Sequence, residues 1–148
     1  MTKFTYRLDG VLEIKIKLEK QAKMEFATAK ARLNSEEDRL EEYTAALTET
    51  EETLKRMMLD VLDIRKIRSQ HAAVDFAAER VENQKLAVKR AAKQVDLAAA
   101  KLNTIMQERK SMEKLRKREF DEYMKDYNAE LSKEVDELVS YKYVTGEE

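Results

Sequence analysis

From Ala22 to Ile64 apolar side chains return in steps of four and three: Ala22, Phe26, Ala29, Leu33, Leu40, Tyr43, Leu47, Leu54, Met57, Val61 and Ile64, with Glu36 and Thr50 filling two of the places. A mean spacing of about 3.5 residues keeps one stripe of a helix turned toward a neighbouring helix and winds the pair left-handed. One set in the stripe (Phe26, Leu33, Leu40, Leu47, Leu54 and Val61) contains no polar residue. A pattern of this length commits the first half of the chain to a long helix with a helical partner.

The partner lies in the same chain. A second stripe runs Val74, Ala78, Val81, Val88, Ala92, Val95, Ala99, Leu102 and Met106. Between the two stripes Asp60, Asp63, Ser69 and Gln70 interrupt the regularity, and Ser69 is placed to cap a second helix. One unbroken helix of this chain would be roughly 200 Å long, an improbable form for a small soluble protein. The sequence therefore predicts an all-α protein, a long antiparallel two-helix coiled-coil hairpin and a single domain over residues 1–148. Helix 1 is expected at about residues 4–60, the turn at about 60–72 and helix 2 at about 72–143. A chain of 148 residues with no Pro, and Gly only at positions 10 and 146, has few of the residues that globular folds use in turns. Ala72, Ala73, Ala77, Ala78, Ala87, Ala91, Ala92, Ala98, Ala99 and Ala100 let the helices approach closely and leave little room for a pocket.

Most catalytic chemistry lacks its parts. His71 is the only histidine and there is no cysteine, so neither a metal set nor a nucleophile–base pair can be assembled around it. No glycine loop is present to cradle a phosphate. The carboxylate pairs Glu36–Glu37, Glu41–Glu42 and Glu51–Glu52 read as a solvated helix face. The expectation is no enzyme, no cofactor, no metal and no catalytic residue. A formal net charge of −1 gives no overall pull toward nucleic acid. The first residues are broken by charge every few positions, and no apolar run approaches membrane-spanning length. A soluble, intracellular protein without direct membrane insertion is expected.

One segment stands out. Residues 107–120, QERKSMEKLRKREF, hold six Lys/Arg and three Glu. The phase of the second stripe places Arg109, Glu113 and Arg116 in the seam, while apolar residues fall at Met112 and Leu115. The apolar pattern resumes at Phe120, Tyr123, Tyr127, Leu131 and Leu138. Residues 107–118 read as a phase slip or a loosened stretch, where the seam is weakest. A turn near residues 66–70 would set 109–118 opposite 17–26, which carries Lys17, Lys20 and Lys23. Against them stand only Glu19 and Glu25; like charges facing each other cost folding energy, and the excess suits either an acidic protein partner or an ordinary solvated face. DNA suits it less, because Glu113, Glu119, Asp121 and Glu122 would repel phosphates.

The two ends of the chain carry a further signal. The start, KFTYRLDGVLEIKIKLEKQAK, with Phe4, Tyr6, Leu8, Val11 and Leu12, and the late stretch IMQERKSMEKLRKREFDEYMKDYNAELSKEVDELVSYKY resemble the FliJ family of flagellar type III export proteins. In the late stretch the resemblance rests on Arg109, Lys110, Glu113, Lys114, Leu115, Phe120, Glu122, Tyr123, Lys133, Glu134, Asp136 and Glu137. It implies an antiparallel coiled coil similar to the central stalk of rotary ATPases. It also implies that the protein sits with the export ATPase hexamer, promotes ring assembly, couples the ring to the cytoplasmic domain of the export gate membrane protein and escorts substrate chaperones. Its place would be cytoplasmic, peripheral at the cytoplasmic side of the inner membrane, in flagellum biogenesis and hence motility and chemotaxis.

On this reading Lys17, Lys20, Lys23, Arg109, Lys110, Lys114, Arg116, Lys117 and Arg118 form a girdle that contacts the ATPase ring. The resemblance implies a gate contact near Tyr43, Leu47, Phe76 and Arg80. Two other readings stay open on the sequence: a stalk of a non-flagellar type III secretion or rotary ATPase system, and a structural coiled-coil scaffold with no ATPase partner.

Overall fold

The computed structural model describes residues 3–146. Two helices make up nearly all of it: α1, Asp9–Leu59, of 51 residues, and α2, Ile64–Thr145, of 82 residues. Among the described residues there is no strand. The helices pack against each other as an all-α hairpin. Contacts group the chain into two compact units, one of residues up to Lys20 with those from Thr104 onward, the other Gln21–Asn103.

In the Gln21–Asn103 unit the predicted first stripe is the buried one. Ala22 is buried, and Phe26, Ala29, Leu33, Glu36, Leu40, Tyr43, Leu47, Thr50, Leu54 and Met57 are half-buried. Across from them Val81, Gln84 and Ala91 are buried and Val74, Ala78, Val88, Ala92, Val95 and Ala99 half-buried. Alanines and medium side chains dominate the contact and Phe26 and Tyr43 are only half-buried, so it is a thin seam with no large side chain wholly enclosed among the described residues. Antiparallel register is fixed by three cross-helix hydrogen bonds. Gln70 Nε2 donates to the Thr50 carbonyl (3.0 Å), Gln84 Nε2 to the Glu36 carbonyl (2.9 Å) and Lys101 Nζ to a Glu25 carboxylate oxygen (3.0 Å).

The turn is earlier and tighter than the sequence suggested. Only residues 60–63 separate the helices, and α2 begins at Ile64 rather than near 72. The cap is Asp63, not Ser69. Its Oδ1 accepts the backbone N–H of Arg65 (3.1 Å) and of Lys66 (3.4 Å), two donors that the first helical turn leaves without partners. Ser69 is already inside the helix, and Val61 and Ile64, assigned to the first stripe, are exposed at the turn.

In the other unit the chain before α1 and the first turns of α1 pack on α2. Tyr6 and Leu12 are buried, and the Tyr6 hydroxyl donates to the Met112 carbonyl (3.4 Å). Phe4 meets the ring of Phe120 edge-on at 5.1 Å and that of Tyr123 at 5.4 Å. Beyond Met124 every described residue of α2 is exposed, because the shorter α1 has no residues left to oppose it. The expected continuation of the seam through Tyr127, Leu131 and Leu138 is thus an apolar pattern without a partner helix.

Candidate partner-binding surfaces

The basic run of α2 divides into two sets by helical geometry. Arg109 and Arg116 face α1. Arg109 is half-buried in the seam, where its guanidinium pairs with the buried Glu19 and, through Nη1, with Glu113 at 2.9 Å. The hydrogen bonds that Arg109 donates, first to Glu19 and then to Glu113, raise its pKa above the ordinary value. Arg116 Nε donates to Asp9 Oδ1 at 3.0 Å, and its guanidinium lies 6.0 Å from the Phe4 ring centroid. Lys15 bridges to Glu108 at 2.5 Å.

α2 runs unbroken through the expected phase slip, and Met112 rather than the in-phase Glu113 takes the half-buried place after Arg109. One expectation is corrected: two basic faces do not oppose each other. The early turn sets Arg109 against Glu19 and Arg116 against Asp9, so the register that placed 17–26 across from 109–118 does not exist. Lys17 and Lys20 are exposed beside Glu19, and Lys23 belongs to the Gln21–Asn103 unit.

The second set points away from the seam. Lys110, Lys114, Lys117 and Arg118 are exposed and no ion pair engages them among the described residues. Lys114, Lys117 and Arg118 line a shallow open depression with Asp121, Glu122 and Lys125, one face of the helix over about three turns. Cations held this way keep their hydration and their charge for an outside partner.

In the Gln21–Asn103 unit three of the four residues named for a gate contact come together. The Arg80 guanidinium stacks over the Tyr43 ring at 3.9 Å from its centroid and lies 5.9 Å from that of Phe76. With Ala46, Thr50, Ala73 and Ala77 they line a groove of about 230 Å³. The alanines leave the groove unfilled, and Phe76 stands beside it 63% exposed. Leu47 is half-buried in the seam and does not line the groove. An exposed aromatic beside an aromatic–arginine stack is the composition that protein interfaces favour at their centres.

His71 is exposed, with Nδ1 3.9 Å from an Asp75 carboxylate oxygen one turn on. Among the described residues no group of three or more His, Asp or Glu side chains is placed to hold a metal ion. No helix there is long and apolar enough to cross a membrane. Sequence reasoning missed the buried polar layer at Gln84, whose Nε2 also donates to Glu36 Oε2 at 2.5 Å. Its place between Val81 and Val88 on the second stripe was the available signal.

The family model described as flagellar FliJ protein matches residues 4–148. No curated protein and no solved structure matches the chain.

Proposed function

Since the chain belongs to the flagellar FliJ protein family and is a flagellar export-related protein, we propose that it is a non-catalytic stalk for the export ATPase. On this reading it promotes assembly and activity of the ATPase ring, couples the ring to the export gate and escorts substrate chaperones, working in the cytoplasm at the inner face of the membrane. The observation that carries the reading is the division of the basic run. Arg109 and Arg116 are consumed by the hairpin, whereas Lys110, Lys114, Lys117 and Arg118 are left exposed and outside any ion pair among the described residues, a cationic cluster bordered by Asp121 and Glu122.

A cationic face of this kind works by electrostatic attraction to an acidic or polar surface. It speeds encounter and orients the partner, and its effect falls as salt shortens the range of the field to about 8 Å at physiological ionic strength. Lys17 and Lys20 are further exposed cations of the same unit, and Lys23, in the Gln21–Asn103 unit, is a separate candidate. The groove of Tyr43, Phe76 and Arg80 is the counterpart for the gate: an apolar ring to bury and a guanidinium already held flat by Tyr43. The protein would act through these contacts by biasing which arrangement of its partner is populated, not by chemistry of its own.

The test is ATPase stimulation and ring assembly by the chain carrying Lys114→Glu, Lys117→Glu and Arg118→Glu together. Helicity is expected to match the parent, because all three side chains are exposed, while stimulation is lost. Normal stimulation by the folded variant would remove this face from the ATPase contact.

A further inference from the structure

The turn of the hairpin carries aliphatic side chains that the fold does not use. Leu59 is 88% exposed, Val61 90%, Leu62 66% and Ile64 72%, with Met58 beside them. Single exposed leucines are ordinary; a run of this density at a loop tip is not. Of the usual turn residues Gly, Pro, Asn, Asp and Ser, only Asp60 and Asp63 lie between Leu59 and Ile64. The backbone is turned by these two aspartates. Asp60 Oδ1 accepts the N–H of Val61 at 2.8 Å, and Asp63 caps α2. The aliphatic groups take no part in these hydrogen bonds, and the fold leaves them exposed.

Around them stand Lys55, Arg56, Arg65, Lys66 and Arg68, all exposed and none in an ion pair among the described residues. Arg56 reaches only the Thr53 hydroxyl, at 3.2 Å. Against these five cations, residues 55–68 hold two acids, Asp60 and Asp63, both with carboxylates turned to backbone N–H groups. The tip is therefore an aliphatic cap ringed by positive charge.

We propose that this tip is a site for the surface of an anionic membrane, with Leu59, Val61, Leu62 and Ile64 seated at the headgroup–acyl boundary and the Lys/Arg ring on the lipid phosphates. A short apolar element joined to a basic cluster is the combination that holds a protein reversibly on anionic bilayers, each signal being weak alone. A protein socket fits less well. The tip offers no Trp or Tyr, the residues that anchor most protein interfaces alongside Arg. A bilayer asks for no shaped anchor, only for apolar reach and charge of the opposite sign.

The experiment is co-sedimentation of the full chain with vesicles of phosphatidylethanolamine and phosphatidylglycerol in equal parts, against vesicles of phosphatidylcholine alone. The parent should bind the anionic vesicles and not the neutral ones. Leu59→Ser with Val61→Ser and Leu62→Ser, and separately Arg65→Glu with Lys66→Glu, should each weaken binding by about tenfold or more. Both leave helicity unchanged by circular dichroism, because every side chain replaced is exposed. Lys114→Glu with Lys117→Glu and Arg118→Glu should bind vesicles as the parent does. Equal binding to neutral and anionic vesicles, tip variants that bind like the parent, or loss only in the Lys114 set overturns the proposal. ATPase stimulation by the tip variants is a separate reading, so the stalk and the membrane site can fail independently.

Discussion

The polar layer at Gln84 gives a quantitative test of what holds the register. Gln84 is 7% exposed and the Glu36 side chain 16%, so both sit in a seam that is mostly apolar. Replacing Gln84 by Leu removes a hydrogen bond to a carboxylate, which is about 1.5–3 kcal/mol, and leaves that carboxylate covered with only Arg39 at 3.9 Å to offset it. The leucine returns about 1.5–2 kcal/mol of apolar burial, so the single change should destabilise by roughly 1 kcal/mol. Glu36→Leu alone should be nearly neutral, since Gln84 keeps its bond to the Glu36 carbonyl. With both replaced, two leucines meet across the seam and stability should rise by about 1–2 kcal/mol. The cycle therefore predicts a coupling of about 2–3 kcal/mol, measured by urea unfolding followed by circular dichroism. The double variant should also lose specificity and form chain–chain dimers at concentrations where the parent is monomeric, because an apolar seam accepts many registers. A coupling under about 0.5 kcal/mol would refute the reasoning and show that Gln84 and Glu36 are solvated independently.

Cysteines at Thr50 and Gln70 should be bridged within one chain by a short bis-maleimide, because these residues face each other directly; a pair at Leu40 and Val95 should not be, since Glu36 already faces Gln84. Mass spectrometry of the crosslinked monomer checks both. Ending the chain at Leu131 should leave the thermal midpoint unchanged, because the described residues removed are all exposed, and a drop would show that the overhang of α2 stabilises the hairpin.

The stripe from Ala22 to Met57 was legible because each of its places follows from a period, and a period is a local property of the sequence. Register was not. Two stripes with the same period fit together equally well after sliding by a heptad, so only the turn decides which residues meet. Here the turn bears no Gly or Pro, and its decisive residue is an aspartate. Asp63 precedes Ile64 as a cap should, yet no Glu or Gln stands three places on to complete a capping box; that place is Lys66. Putting the turn a few residues late moved every facing pair. It turned Arg109 opposite Glu19 into Arg109 opposite lysines, and an ion pair into an apparent repulsion. Tyr43, Phe76 and Arg80 were named from a resemblance, and the true register is what stacks Arg80 on Tyr43.

The corrected register changes which experiment can speak about binding. Arg109→Glu would set a third carboxylate beside Glu19 and Glu113, and Arg116→Glu a second beside Asp9, so either would loosen the packing around Tyr6 and Phe4 before any partner is considered. Lost ATPase stimulation in such a variant would be explained equally by an unfolded end and by a missing contact. Lys114, Lys117 and Arg118 are free of that ambiguity. They lie on the far face of the same turns, pair with nothing in the hairpin, and their reversal alters only the field seen by an outside molecule. Should reversal there abolish stimulation while added salt weakens the parent in the same way, the contact is electrostatic and belongs to this face. If salt has no effect on the parent, the apolar overhang at Leu131, Val135 and Leu138 becomes the contact to examine, because burial of aliphatic groups is insensitive to screening.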